Sequence, residues 1–170
     1  MLKSLLFIPL IYFANIYGFS INNLDGSVIH FSDFKGKKIL IVNISLNSPY
    51  TSQLGDLEKL YQQFKDQLII IAVPSSSFTP DTKTGAELNQ YIQSTYQTHY
   101  LLSEEMIVSG TNIHPLFDWL TSISQNGNMD TPVKKDFQKF LIGSDGQLIG
   151  VFAPVVNPMS DELVNPIKNN

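Results

Sequence analysis

The sequence predicts an α/β fold in which a central mixed sheet is flanked by helices and preceded by an N-terminal β-hairpin. Three observations carry this expectation. Two continuous apolar runs, Lys38–Ser45 and Gln67–Pro74, are separated by a segment whose apolar residues recur at three- and four-residue steps. Strand, helix and strand at that spacing make a parallel unit with a right-handed crossover. Asp25-Gly26 and Ser144-Asp145-Gly146 each stand between short apolar runs, as the turns of antiparallel hairpins do.

Taken in order, Phe19–Phe31 is the first hairpin, because Asp and Gly both tolerate the positive φ of a tight turn. Lys38–Ser45 has the length and unbroken hydrophobicity of a strand covered on both faces. Leu54, Leu57, Leu60, Tyr61 and Phe64 mark an amphipathic helix with Thr51 or Ser52 as its expected N-cap. Gln67–Pro74 is the second buried strand, and the Ser, Thr and Pro of Ser75–Gly85 make a loop at its C-terminal edge. A second helix is expected over Ala86–Tyr96, with Leu88, Tyr91, Ile92 and Thr95 on one side. A third runs over Pro115–Ile123, where proline sits in the first turn and its missing N–H does no harm. Ser124–Lys135 is polar and predicts a loop, and Phe137–Gly143 with Gln147–Ala153 gives the second hairpin. After Pro154, Pro158, Pro166 and the polar Lys168-Asn169-Asn170 end predict a loosely held tail.

At 170 residues, 43% of them hydrophobic, the chain fits one domain. A domain of that size buries roughly 68–70% of its unfolded surface and needs no disulfide or metal staple. The net charge of −4, with lysines scattered apart from pairs such as Lys37-Lys38 and Lys134-Lys135, speaks against nucleic acid and anionic membrane as partners. Three scattered histidines and no cysteine match no metal-ligand spacing, so neither metal nor cofactor is expected.

Lys3 precedes an apolar stretch, Leu5–Ala14, of the length of a signal-peptide core and short of the about 20 residues of a membrane span. Residues 1–18 are therefore expected to be a signal peptide cleaved after Gly18. The mature domain would be 19–170, exported to a periplasmic or extracellular space, with no membrane span left after cleavage.

The run Asn43-Ile44-Ser45-Leu46-Asn47-Ser48-Pro49-Tyr50-Thr51-Ser52-Gln53 resembles the glutathione peroxidase motif N-V-A-S-x-C-G-x-T-x-Q, with Asn43, Thr51 and Gln53 in register. Further segments follow in the family's order. Gly36–Asn43 looks like G-K-v-l-L-I-V-N, and Leu57–Phe64 looks like the L-x-x-L-y-x-x-y helix. His114–Leu120 is similar to H-P-L-y-x-x-L, and Phe137-Gln138-Lys139-Phe140-Leu141 to F-x-K-F-L. The resemblance runs from about Phe19 to Pro154. It implies a thioredoxin-like fold and a peroxidase that uses glutathione or thioredoxin as reductant.

It also implies a catalytic tetrad of Cys or selenocysteine, Gln, Trp and Asn, and there the match fails. Ser48 falls at the cysteine, Ser77 at the glutamine, Lys135 at the tryptophan and Asp136 at the asparagine. Peroxide reduction needs a polarizable nucleophile that ionises readily and is then carried as a sulfenic acid. A serine hydroxyl is a weak nucleophile at its free pKa and has no place on that oxidation ladder. A misread selenocysteine codon would account for Ser48 but not for Ser77, Lys135 and Asp136 as well. The expectation is a pseudo-peroxidase kept as a binding or structural scaffold, with an active hydroperoxide reductase as the alternative.

A hydrolase nucleophile at Ser48 would need a nearby base and a third group to orient it. His30, His99 and His114 are the available histidines, and no G-x-S-x-G elbow is present. Ser48, Thr51 and Ser52 cluster where a helix begins, which favours a small anion or an acidic peptide end. Lys135 would add to such a site and Asp136 would oppose it; ordinary helix capping is the plainer role for Thr51 and Ser52. Tyr50, Phe78, Tyr91, Tyr96, Tyr100 and Trp119 are expected mainly on core faces. The sequence names no protein partner.

Overall fold

The computed structural model describes residues 14–169. A 3-10 turn at Ile16–Gly18 leads into an antiparallel hairpin of β1 (Ser20–Asn22) and β2 (Val28–His30). Gly26 turns it with φ +86°, where a side chain would be strained. A second 3-10 turn, Phe31–Phe34, precedes β3 (Lys38–Ile44), which is buried throughout. Then come α1 (Gln53–Phe64), β4 (Leu68–Pro74), α2 (Gly85–Tyr96), β5 (Leu101–Leu102), α3 (Pro115–Thr121) and α4 (Ile123–Asn126). β6 (Lys139–Ile142), β7 (Leu148–Phe152) and α5 (Asp161–Lys168) complete the chain.

The main sheet has the order β5-β4-β3-β6-β7. Crossovers make β3, β4 and β5 parallel, β6 runs antiparallel to β3, and the hairpin at Ser144-Asp145-Gly146 sets β7 antiparallel to β6. Both faces of β3 are covered, which explains its unbroken apolar run. Leu40, Val42 and Ile44 pack with Leu54, Leu57 and Leu60 of α1, while Ile39 and Ile41 join Phe31 and the α3 residues Phe117, Trp119 and Leu120. β5, too short to announce itself in the sequence, forms one edge. Leu24 donates its N–H to the carbonyl of Leu102 at 2.8 Å, so the hairpin partly covers that edge.

Five expectations need correction. The tail is not loose: α5 buries Leu163, Val164 and Ile167 in the main core. Lys38, itself buried, donates to the carbonyls of Pro166 (3.0 Å), Ile167 (2.9 Å) and Asn169, placing a cation on the orphan acceptors that end α5. The helix expected over Pro115–Ile123 stops at Thr121, because Ser122 is extended. The short α4 that follows occupies the start of the expected loop and ends at Gly127, φ +76°. On α2 only Leu88 and Ile92 are buried; Tyr91 and Thr95 face solvent. Neither Thr51 nor Ser52 caps α1 with its side chain. Instead the Thr51 hydroxyl ties back to the carbonyls of Leu46 (2.8 Å) and Ser48 (2.5 Å), and Ser52 makes no capping bond.

The apolar stretch expected to lead a signal peptide lies almost entirely outside the described residues. Residues 14–18 are part of the packed body. Ile16 is fully buried and donates to the Gly146 carbonyl at 3.1 Å, and the Trp119 indole donates to the Ala14 carbonyl at 2.8 Å. Among the described residues no helix is long and apolar enough to cross a membrane.

Candidate functional site

β3 delivers the chain to a tight turn at its C-terminal end, and that turn carries Ser48. The side chain is only 6% exposed. Its N–H donates to the Ser45 carbonyl at 3.3 Å, and its Oγ accepts the N–H of Tyr50 at 3.3 Å. One carboxylate fixes the turn from outside. Asp81 Oδ1 accepts the Ser45 hydroxyl (2.8 Å) and the N–H groups of Leu46 (2.6 Å) and Asn47 (3.2 Å). Asn47 in turn donates to the Pro80 carbonyl at 2.7 Å. The polar loop after β4 is thereby fastened to the Ser48 turn by bonds between segments 33 to 36 residues apart in sequence.

A cleft of about 390 Å³ opens here, lined by Ser48, Pro49, Tyr50, Phe78, Thr79, Lys134, Lys135 and Asp136. Three of the four positions aligned with the tetrad, Ser48, Lys135 and Asp136, therefore share one cavity. The fourth, Ser77, does not line it. Its Oγ accepts the N–H of Val108 at 3.0 Å and the Ser75 hydroxyl at 3.0 Å, so it braces the loop.

Asp136 is held in place by the backbone on both sides. Asn43 Nδ2 donates to the Lys135 carbonyl at 3.1 Å, and the Phe137 N–H donates to the Asn43 carbonyl at 2.6 Å. Phe137 has φ +65°, a left-handed conformation that is costly for a bulky residue, and its ring packs against Tyr50. Asp136 is 3% exposed, and Oδ1 has no hydrogen-bond partner. Burial pushes its carboxyl above the ordinary range; a hydrogen bond from Thr79 opposes the rise and the charge of Asp81 adds to it. Lys134 and Lys135 are exposed, and neither is ion-paired with a described residue.

Thr51 and Ser52 lie off this cleft. The first N–H groups of α1 already serve its own turn: Gln53 donates to Tyr50, Leu54 to Thr51 and Gly55 to Ser52. No histidine lines the cleft. His114 caps α3 by accepting the Leu116 N–H at 3.2 Å, and burial lowers its pKa, in keeping with a neutral acceptor. His99 pairs with Glu58 at 2.7 Å and stacks on Tyr61. Among the described residues no three His, Cys, Asp or Glu side chains are grouped to hold a metal ion. Thr79 and Asp81 reach the site through space from a loop whose composition signals only turns, so sequence reasoning passed over them. The arrangement offers a hydroxyl, a buried carboxyl, two exposed cations and aromatic walls, without a thiol.

Comparison with known proteins places the chain in a family. The glutathione peroxidase family model matches residues 16–121. The chain is similar to the glutathione peroxidase of Lactococcus lactis subsp. cremoris, 35% identical over 156 residues that span 91% of this chain and 98% of the relative. The crystal structure of Trgpx in apo form superposes with a TM-score of 0.69 at 26% identity, covering 92% of this chain and 97% of that one. A thioredoxin-family thiol:disulfide interchange protein from Chlorobium tepidum gives 0.64 at 16% identity, over 88% and 92%, and establishes the fold. The chain belongs to the glutathione peroxidase family and has its thioredoxin-like fold.

Proposed function

We propose that this protein is an exported glutathione-peroxidase-like scaffold that has lost peroxide chemistry and serves in binding or structure. The observation that carries the proposal is Ser48, seated in the turn where the family motif has its cysteine, in a chain with no cysteine at all. Lys135 and Asp136 on the facing wall support it, since neither reproduces the hydrogen-bonding set of Trp and Asn. Ser77 supports it too, because its hydroxyl is spent on the loop. Export rests on Lys3 and the apolar stretch after it, and sequencing the N-terminus of protein recovered outside the cell tests that part.

The test of lost chemistry is a Ser48→Cys variant treated with one equivalent of hydroperoxide and a sulfenic-acid trap. The expected outcome is a trapped adduct in the variant and none in the wild type, which would locate the defect at Ser48. An oxidised adduct on wild-type Ser48 would overturn the proposal. A second function is favoured by family membership and by the names of the relatives. In it the protein is a hydroperoxide reductase drawing on glutathione or thioredoxin, with its reactive group elsewhere in the chain. Peroxide-dependent oxidation of glutathione by the wild type is its signature.

A further inference from the structure

Lys139 lies in β6 with none of its surface exposed. Its Nζ donates to the carbonyl of Phe137 at 2.8 Å and to that of Pro154 at 3.3 Å. The acceptors belong to different segments: Phe137 follows Asp136 in the cleft wall, and Pro154 opens the stretch from β7 to α5. Gln53, at the head of α1, donates to the same Pro154 carbonyl at 2.8 Å. One buried amine thus joins the site loop to the approach to the C-terminal helix.

No described carboxylate balances that amine. The ionisable groups on the surrounding elements do not pair with it: burial holds Asp136 toward its uncharged form, Asp56 of α1 bonds to Lys59 and Asn157, and Lys38 of β3 bonds to the end of α5. β7 carries none. A neutral amine has two N–H groups for two carbonyls. An ammonium adds a third donor and an uncompensated charge, which an apolar setting penalises.

We propose that Lys139 is a pH-sensitive pin, fastening the Asp136 loop to the Pro154 segment when neutral and slackening when protonated. Burial supports this by lowering its pKa from 10.5 to about 7. In an opened state the amine is solvated and regains its ordinary value. The closed form therefore binds fewer protons between pH 7 and 10.5, so opening becomes easier as pH falls through that window and levels off below 7. The strained Phe137 lies within the segment that would relax.

Amide hydrogen exchange at residues 134–139 and 153–156, corrected for intrinsic base catalysis, reads the opening constant. In the wild type it should fall about fiftyfold from pH 7 to 9, while Lys139→Met and Lys139→Gln show no such trend. A flat wild-type profile, or equal slopes in the variants, would overturn the pin. So would exchange of both segments no faster than the slowest amides of β3, which would make Lys139 a buried lysine without local control. Direct NMR titration of Nζ in the wild type needs no variant: a value near 7 is expected, and one near 10.5 sinks the idea.

Discussion

Asp136, expected from the sequence at the family's asparagine, has surroundings that treat it as a group better left uncharged. Its raised pKa means that the folded chain binds the proton more tightly than the unfolded one. Stability is therefore lost as pH rises from the unfolded value of 3.8 through the folded one, and regained on acidification. Asp136→Asn should remove that loss and stabilise the protein at neutral pH by about 1–3 kcal/mol, the usual penalty of a poorly satisfied buried polar group. Denaturant midpoints from pH 4 to 8 check it; an unchanged midpoint at pH 7 would show that Asp136 is well accommodated as an anion. Ser48, Lys135 and Asp136 were picked out by motif register, and the structure sets all three along one cleft. Ser77 shows the limit of register, since alignment gives a position and not the direction of a side chain. Thr79 and Asp81 were not legible, because their roles come from a loop folding across the Ser48 turn.

At the scale of elements, the ends of the chain hold the surprises. α5 was hidden by Pro158 and Pro166, which count as breakers, and by an apolar repeat of only about two turns. Its fixation depends on Lys38, more than a hundred residues away in sequence. Leu163→Ala, which empties a fully buried position, should cost about 2–5 kcal/mol. A change under about 0.5 kcal/mol would mean that α5 is only loosely docked. At the other end, Ile16 is buried in the core that Phe31 shares with Phe117 and Trp119 of α3. A chain beginning at Phe19 loses that side chain and the Trp119–Ala14 bond, and should be less stable than one beginning at Ala14 by about 2 kcal/mol or more. Equal melting temperatures would show that residues 14–18 contribute nothing.

For the whole molecule, the architecture was legible because strands covered on both faces write long apolar runs, and because tight turns demand Asp and Gly. Function is less so, because a fold shared by oxidants, reductants and peroxidases does not choose among them. The choice rests on a handful of side chains in one cleft, and on the absence of sulfur among them. The measurement that bears most directly on it is steady-state hydroperoxide consumption by the wild-type chain with glutathione or thioredoxin as reductant. Consumption no faster than in protein-free buffer is the predicted result. Saturable, reductant-dependent turnover would contradict it and require a reactive group other than a thiol.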